Sequence, residues 1–385
     1  MKDKINNPFF LMSFFYLFVA TLISIQASLI AFGWISSGST SISWVRIHFI
    51  TLGVVTQFIF GYTPIHLSKK PLSTRWDIFL VLNSGIIIFF YGRSILDFYL
   101  IATGGTLIFM ANILFLIQII KLDKIERTYS TTNFYIFGIL FYLIGIILGA
   151  GIWTGLSEYL KIFNILEAHI HAQNWGFLSL MFAGFIIDLY PEFTKNELHI
   201  KNNIDKIFIS LSLGGFALVL SPWIGGVLAQ PIAVFGIVLF LFGTSILLNT
   251  LIKTENKDIG IYHLIIGYNW IYTPVLLAPF VLLKIPAFSM VEYLAPQALV
   301  YGWIVQLTIA LLPFILRNSF TPNQAKLGGN VFSLITVNVG ALSLWISIFS
   351  SSLRGVFQGI AYLFWFFALM STVIQIYNIF NEKLN

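Results

Sequence analysis

Residues 165–190 read ILEAHIHAQNWGFLSLMFAGFIIDLY. After a polar opening the apolar residues are spread around the whole helical circumference, so no face is left for water and the segment must be buried in lipid or protein. It is also long enough to cross a hydrocarbon core about 30 Å thick, which takes roughly 20 helical residues. Working outward, further stretches of this kind fall near 8–33, 44–67, 76–92, 97–120, 132–157, 206–222, 225–252, 260–283, 293–316, 328–349 and 355–380. The composition agrees: 58% of residues are hydrophobic, 17% are aromatic with 39 Phe, and 9% are charged, against about 25% charged residues in soluble domains. A water-soluble protein is excluded. The expected fold is an all-α polytopic membrane bundle of about twelve transmembrane helices.

Polar loops between the spans are short. The longest, EFTKNELHIKNNIDK at 192–206, has room for little more than one short helix, so 1–385 is expected to form one membrane domain. The first span follows MKDKINN and is too long for the apolar region of a signal peptide, so it is expected to be retained. With the N-terminus in the cytoplasm, only Arg46, Arg93, Lys161, Lys284 and Arg354 of the 21 Lys and Arg lie on the outer side. That bias has the sign of the positive-inside rule. The expected location is the cell membrane, multi-pass, with both termini cytoplasmic. The net charge of +6 therefore serves orientation and calls for no nucleic acid. The absence of Cys removes disulfides, iron–sulfur clusters, thiolate-ligated haem and c-type haem attachment.

Three segments align without a gap: IHFITLGVVTQFIFGYTP from Ile47, IHAQNWGFLSLMFAGFII from Ile170 and PQALVYGWIVQLTIALLP from Pro296. In this register His48, His171 and Gln297 coincide, then Gly53, Gly176 and Gly302, then Gly61, Gly184 and Ala310. The period of about 125 residues corresponds to four helices, which predicts three repeats at approximately 1–125, 126–255 and 256–385, with spans 2, 6 and 10 equivalent and innermost. The glycines read as positions of close helix packing. That does not account for a ligand-capable side chain opening two copies and an amide the third.

Of the six His, His48, His169 and His171 fall near the outer ends of spans 2 and 6, whereas His66, His199 and His263 fall toward the cytoplasmic side. Only the first three are expected to cluster. His169 and His171 are two residues apart, about 200° around a helix, so they must address opposite neighbours. His48 and His171 share a repeat position and should share a depth, the geometry of a bis-imidazole haem. Each also suits a plainer role as an interfacial side chain bonded to water and a carbonyl. Arg46 and Arg93 suit haem propionates or, more simply, headgroup phosphates. Among Gln57, Asn83, Asn112, Gln118, Asp188, Asn249, Asn269, Gln306 and Asn338, the amides read as interhelical glue and Asp188 stands nearly alone, so transmembrane proton pumping is not expected. Tyr190-Pro191-Glu192 reads as the end of span 6.

The segment EAHIHAQNWGFLSLMFAGFIIDLYPEF at 167–193 resembles the tenth helix of subunit I of haem-copper oxidases, especially the C-type oxidases and related nitric oxide reductases. There a His-x-His pair precedes a Gly-rich helix that ends in an aromatic-Pro segment. The resemblance implies twelve helices in three groups of four. It also implies haem ligands on helices 2 and 10 and copper ligands on helices 6 and 7, and His48 matches the helix-2 position. This chain departs from the pattern: its His-x-His pair is on span 6, span 10 offers Pro296 and Gln297, and span 7 has no His.

The usual copper site and classical oxygen reduction are therefore not expected. What the resemblance implies is a divergent, haem-binding member acting in electron transfer or diatomic-gas response, possible as a component of an oxidoreductase with partner membrane subunits or an electron donor. His48 and His171 would hold one haem, leaving His169 for a second metal or a hydrogen bond. A role like that of the twelve-span haem and copper proteins of nitric-oxide stress is a related reading. The competing reading is a cofactor-free multi-pass transporter or membrane-complex assembly subunit.

Overall fold

The computed structural model describes residues 7–36, 42–68, 72–122, 131–194, 203–255, 257–320 and 326–384. His199 and the basic residues Lys2, Lys4, Lys69, Lys70, Lys124, Arg127, Lys195 and Lys201 lie outside the described residues. Twelve helices among the described residues are long and apolar enough to cross a membrane, and no strand occurs among them. The chain is an all-α multi-pass membrane protein. The spans are span 1 (Pro8–Ala31), span 2 (Trp44–Leu67), span 3 (Trp76–Ile95), span 4 (Phe98–Leu122), span 5 (Thr132–Thr154), span 6 (Ile165–Thr194), span 7 (Ile204–Ile224), span 8 (Gly226–Ile252), span 9 (Ile259–Leu282), span 10 (Pro286–Ser319), span 11 (Val331–Phe349) and span 12 (Arg354–Glu382).

The bounds follow the apolar runs closely, with local differences that have physical causes. Span 6 runs through Pro191 to Thr194 rather than ending at Tyr190. Pro191 has no amide hydrogen to give the Ile187 carbonyl, but one turn from the helix end that forfeits a single bond and the last turn still forms. Span 9 is interrupted at Ile271, ahead of Pro274 and Pro279, into Ile259–Trp270 and Tyr272–Leu282. Local capping fixes several other ends. Asp258 accepts from the Ile261 amide, and Asn330 and Ser333 form a reciprocal capping box. At the start of span 3, Arg75 grips Asp77 at 2.6 and 2.8 Å, and this hydrogen-bonded carboxylate raises the guanidinium above its ordinary pKa.

The chain divides into two compact units, residues 1–58 with 251–385, and residues 59–250. In the first, Ser13 of span 1 donates to the Val54 carbonyl of span 2 at 2.9 Å, and Ser28 donates to the Gly359 carbonyl of span 12 at 2.8 Å. The amides of Gln306 and Asn338 join spans 10 and 11 through two bonds of 3.1 Å, and Trp270 of span 9 donates to Asn338 at 2.7 Å. These amides are the interhelical glue read from sequence. Asn83, Asn112 and Asn269 instead donate to carbonyls four residues back in their own helices, an option every helix offers a short amide. In the second unit, spans 3 and 4 cross at Gly85 and Gly104, where an added Cβ would meet the opposing backbone at 2.9 and 2.5 Å.

Spans 2, 6 and 10 have the most buried windows, at 67%, 78% and 100%. Each contains a π-helical segment: Phe49–Val55, Ala172–Leu178 and Val300–Val305. In the sequence alignment the first two coincide residue for residue, and the third begins two positions later. Each aligned glycine, moreover, receives an aromatic ring from the span preceding it. Tyr16 of span 1 packs on Gly53, Phe141 of span 5 on Gly176, and Trp270 of span 9 on Gly302. The glycines thus admit a ring rather than a second backbone.

Candidate functional site

His48, His169 and His171 are held by carbonyls. His48, in the first unit, closes the helical segment Ile42–His48 directly before the π segment. Its Nδ1 lies 2.8 Å from the Trp44 carbonyl, and its ring stacks on the Trp44 indole with centroids 4.1 Å apart. Asn164 caps the N-terminus of span 6 in the second unit, accepting from the Glu167 amide. One turn later His169 places Nδ1 2.7 Å from the Gly145 carbonyl of span 5, with its ring against Gly149. His171 places Nδ1 2.6 Å from the Leu218 carbonyl of span 7, and its Nε2 lies 4.0 Å from Glu167 Oε1. The pair addresses opposite neighbours, as a two-residue separation on a helix requires.

A carbonyl can only accept, so Nδ1 carries a proton in all three rings. An outer hydrogen bond of this kind orients the ring of a histidine that ligates iron through Nε2. It equally satisfies a structural histidine. Among the described residues no three His, Asp or Glu side chains gather closely enough to hold a metal ion.

Two polar clusters depart from the sequence expectations. Asp188 is not isolated. Its Oδ1 accepts from Thr131 at 2.6 Å, and its Oδ2 accepts from Tyr135 at 2.5 Å and from His66 Nε2 at 3.0 Å. Tyr62 in turn reaches His66 Nδ1 at 3.2 Å. All five residues belong to the second unit, on spans 2, 5 and 6 and the residue preceding span 5. His66, set apart from the candidate histidines by its depth, is therefore part of an ionisable network. Its register was legible, because Asp188 aligns with Ile65 and lies one step from the His66 position. Tyr62, Thr131 and Tyr135 carried no signal, being ordinary residues of apolar helices until a carboxylate faces them.

The second cluster surrounds Arg46 in the first unit. Arg46 is fully buried, so a headgroup phosphate cannot be its partner. Its Nη2 donates to Gln297 Oε1 at 2.7 Å, and its guanidinium carbon lies 3.7 Å from the Tyr362 ring centroid, 5.4 Å from Tyr301 and 5.6 Å from Trp365. Gln297, which aligns with His48 and His171 in the sequence, is thus bound to a cation. Arg93 lies in the second unit, 4.8 Å over the ring of Trp153.

No protein-family model matches the chain, and no curated protein matches it.

Proposed function

We propose that this protein is a haem-binding membrane protein, a divergent relative of haem-copper oxidase subunit I built from three four-helix repeats, in the cell membrane with both termini cytoplasmic. The observation that carries the reading is the shared setting of His48 and His171. Each immediately precedes an in-register π segment, and each has Nδ1 bonded to a backbone carbonyl. π segments interrupting α-helices recur at functional sites. The donor type is one that haem takes: each imidazole is anchored through Nδ1 to a backbone carbonyl, as an orienting hydrogen bond holds a ligating histidine. His169 is assigned the orienting hydrogen bond to span 5 or a second metal. The ring-on-glycine contacts at Gly53, Gly176 and Gly302 support the threefold repeat independently of the histidines.

Bound haem would supply one-electron redox chemistry or an iron that binds a diatomic gas. The chain's own part is to hold the two imidazoles by their Nδ1–carbonyl bonds. The test is a reduced-minus-oxidised difference spectrum of the purified protein, with iron and copper analysis. A haem band that His48→Ala and His171→Ala each abolish or shift is the expected result. Purified, folded protein without a haem band overturns the proposal.

A second reading, a cofactor-free transporter or assembly subunit, is favoured by the Asp188 network, since an ionisable group within a span is costly and marks ion or substrate pathways. Proton-coupled uptake into proteoliposomes that Asp188→Asn abolishes would support it, together with a colourless purified protein.

A further inference from the structure

Spans 4 and 5, both in the second unit, leave a groove of about 320 Å³ between the start of one and the end of the other. Its walls are apolar, with Ala102, Gly105 and Phe109 on span 4 and Ile147, Ala150 and Trp153 on span 5. Ile147 and Trp153 are exposed, so the groove opens to the lipid around the spans. Two neighbouring glycines of span 4 differ in what they face. An added Cβ at Gly104 would meet the Phe89 backbone at 2.5 Å, so close packing with span 3 requires that glycine. Gly105 is also buried, yet an added Cβ there would meet no atom within 4 Å. A glycine inside a helix weakens it, and no neighbour in the chain calls for this one.

Folded interiors are close-packed, and an apolar space of this kind offers water no partners. Hydrocarbon must fill it. A helix is too thick, since one turn about 10 Å across and 5.4 Å tall takes about 420 Å³, more than the whole groove. A single unbranched alkyl chain is thin enough. At the mouth, the Arg93 guanidinium carbon lies 4.8 Å over the Trp153 ring, and such a pair at span ends belongs at headgroup level. Arg93 does not line the groove; it marks the depth at which a chain enters. We propose that this groove is a binding site for one acyl chain of a membrane phospholipid, seated over Gly105 and lined by Ala102, Phe109 and Trp153. The contact is dispersive, so shape is what holds the chain. The site lies wholly within the second unit and does not depend on haem.

Native mass spectrometry of the full chain released from detergent tests the site. The wild type should keep one phospholipid per chain at collision energies that strip the rest. Gly105→Leu extends a side chain into the open space and should lose that lipid. Ala102→Phe narrows the same groove, should also lose it, and carries the test if Gly105→Leu does not fold. Val238→Leu, on an exposed face of span 8, should keep the lipid. A second copy of the chain as occupant would show instead as a wild-type dimer that Gly105→Leu dissociates, and that result overturns the proposal. So does a wild type that retains no phospholipid, or retention equal in the wild type and the groove variants.

Discussion

Replacing Asp188 tests the polar network of the second unit directly. The carboxylate takes hydrogen bonds from Thr131, Tyr135 and His66 at 2.6, 2.5 and 3.0 Å. Bonds to a charged acceptor contribute about 1.5–3 kcal/mol each, against about 1 for neutral pairs. Asp188→Asn keeps the shape and can still accept at one oxygen, but it turns an amino group toward two donors. Tyr135 can rotate its hydroxyl and His66 can change tautomer, so the expected loss is about 2–3 kcal/mol. Asp188→Leu strands all three donors and should cost about 3–5 kcal/mol, the range for breaking a buried pair by removing one partner. His66→Leu should cost less, since two donors to the carboxylate remain. The double variant Asp188→Leu/His66→Leu should then be less destabilised than the sum of the singles by about 1–3 kcal/mol. Reversible unfolding in mixed micelles measures each corner of the cycle. A loss below about 0.5 kcal/mol for Asp188→Asn, or strictly additive singles, would refute the network.

Adding a methyl at the repeat glycines should separate them. Gly176→Ala drives its Cβ into the Phe141 ring, whereas at Gly53 and Gly302 the nearest ring atoms are 2.8 and 2.9 Å away. Overpacking costs about 1–3 kcal/mol, so Gly176→Ala should show the lowest melting temperature of the three, and Phe141→Leu should partly rescue it. Gln306→Leu leaves Asn338 with one partner fewer between spans 10 and 11 and should cost about 1 kcal/mol by the same unfolding assay, reflecting the small measured strength of interhelical bonds in membranes. The exposed Arg75–Asp77 pair should matter little: Arg75→Ala is expected to change stability by less than about 1 kcal/mol, and by less still in high salt.

Much of this molecule is written locally. Whether a stretch can cross a hydrocarbon core depends on its own length and polarity, so all twelve spans were readable, with most boundaries falling within a few residues. The shared glycine positions were readable because Gly53, Gly176 and Gly302 each admit a ring, a constraint tied to a single position. The opposed directions of His169 and His171 followed from helical periodicity alone.

Only the tertiary structure decided which polar groups meet. Spans that are apolar on all sides carry no amphipathic stripe to fix their rotation, and partners distant in the chain leave no local trace. Asp188 finds Thr131 across 57 residues and His66 across 122, and Arg46 finds Gln297 across 251. Helix packing turned a carboxylate that looked solitary into the centre of a network. It also enclosed an arginine that sequence would place among lipid headgroups, because three aromatic rings from spans 10 and 12 close around it.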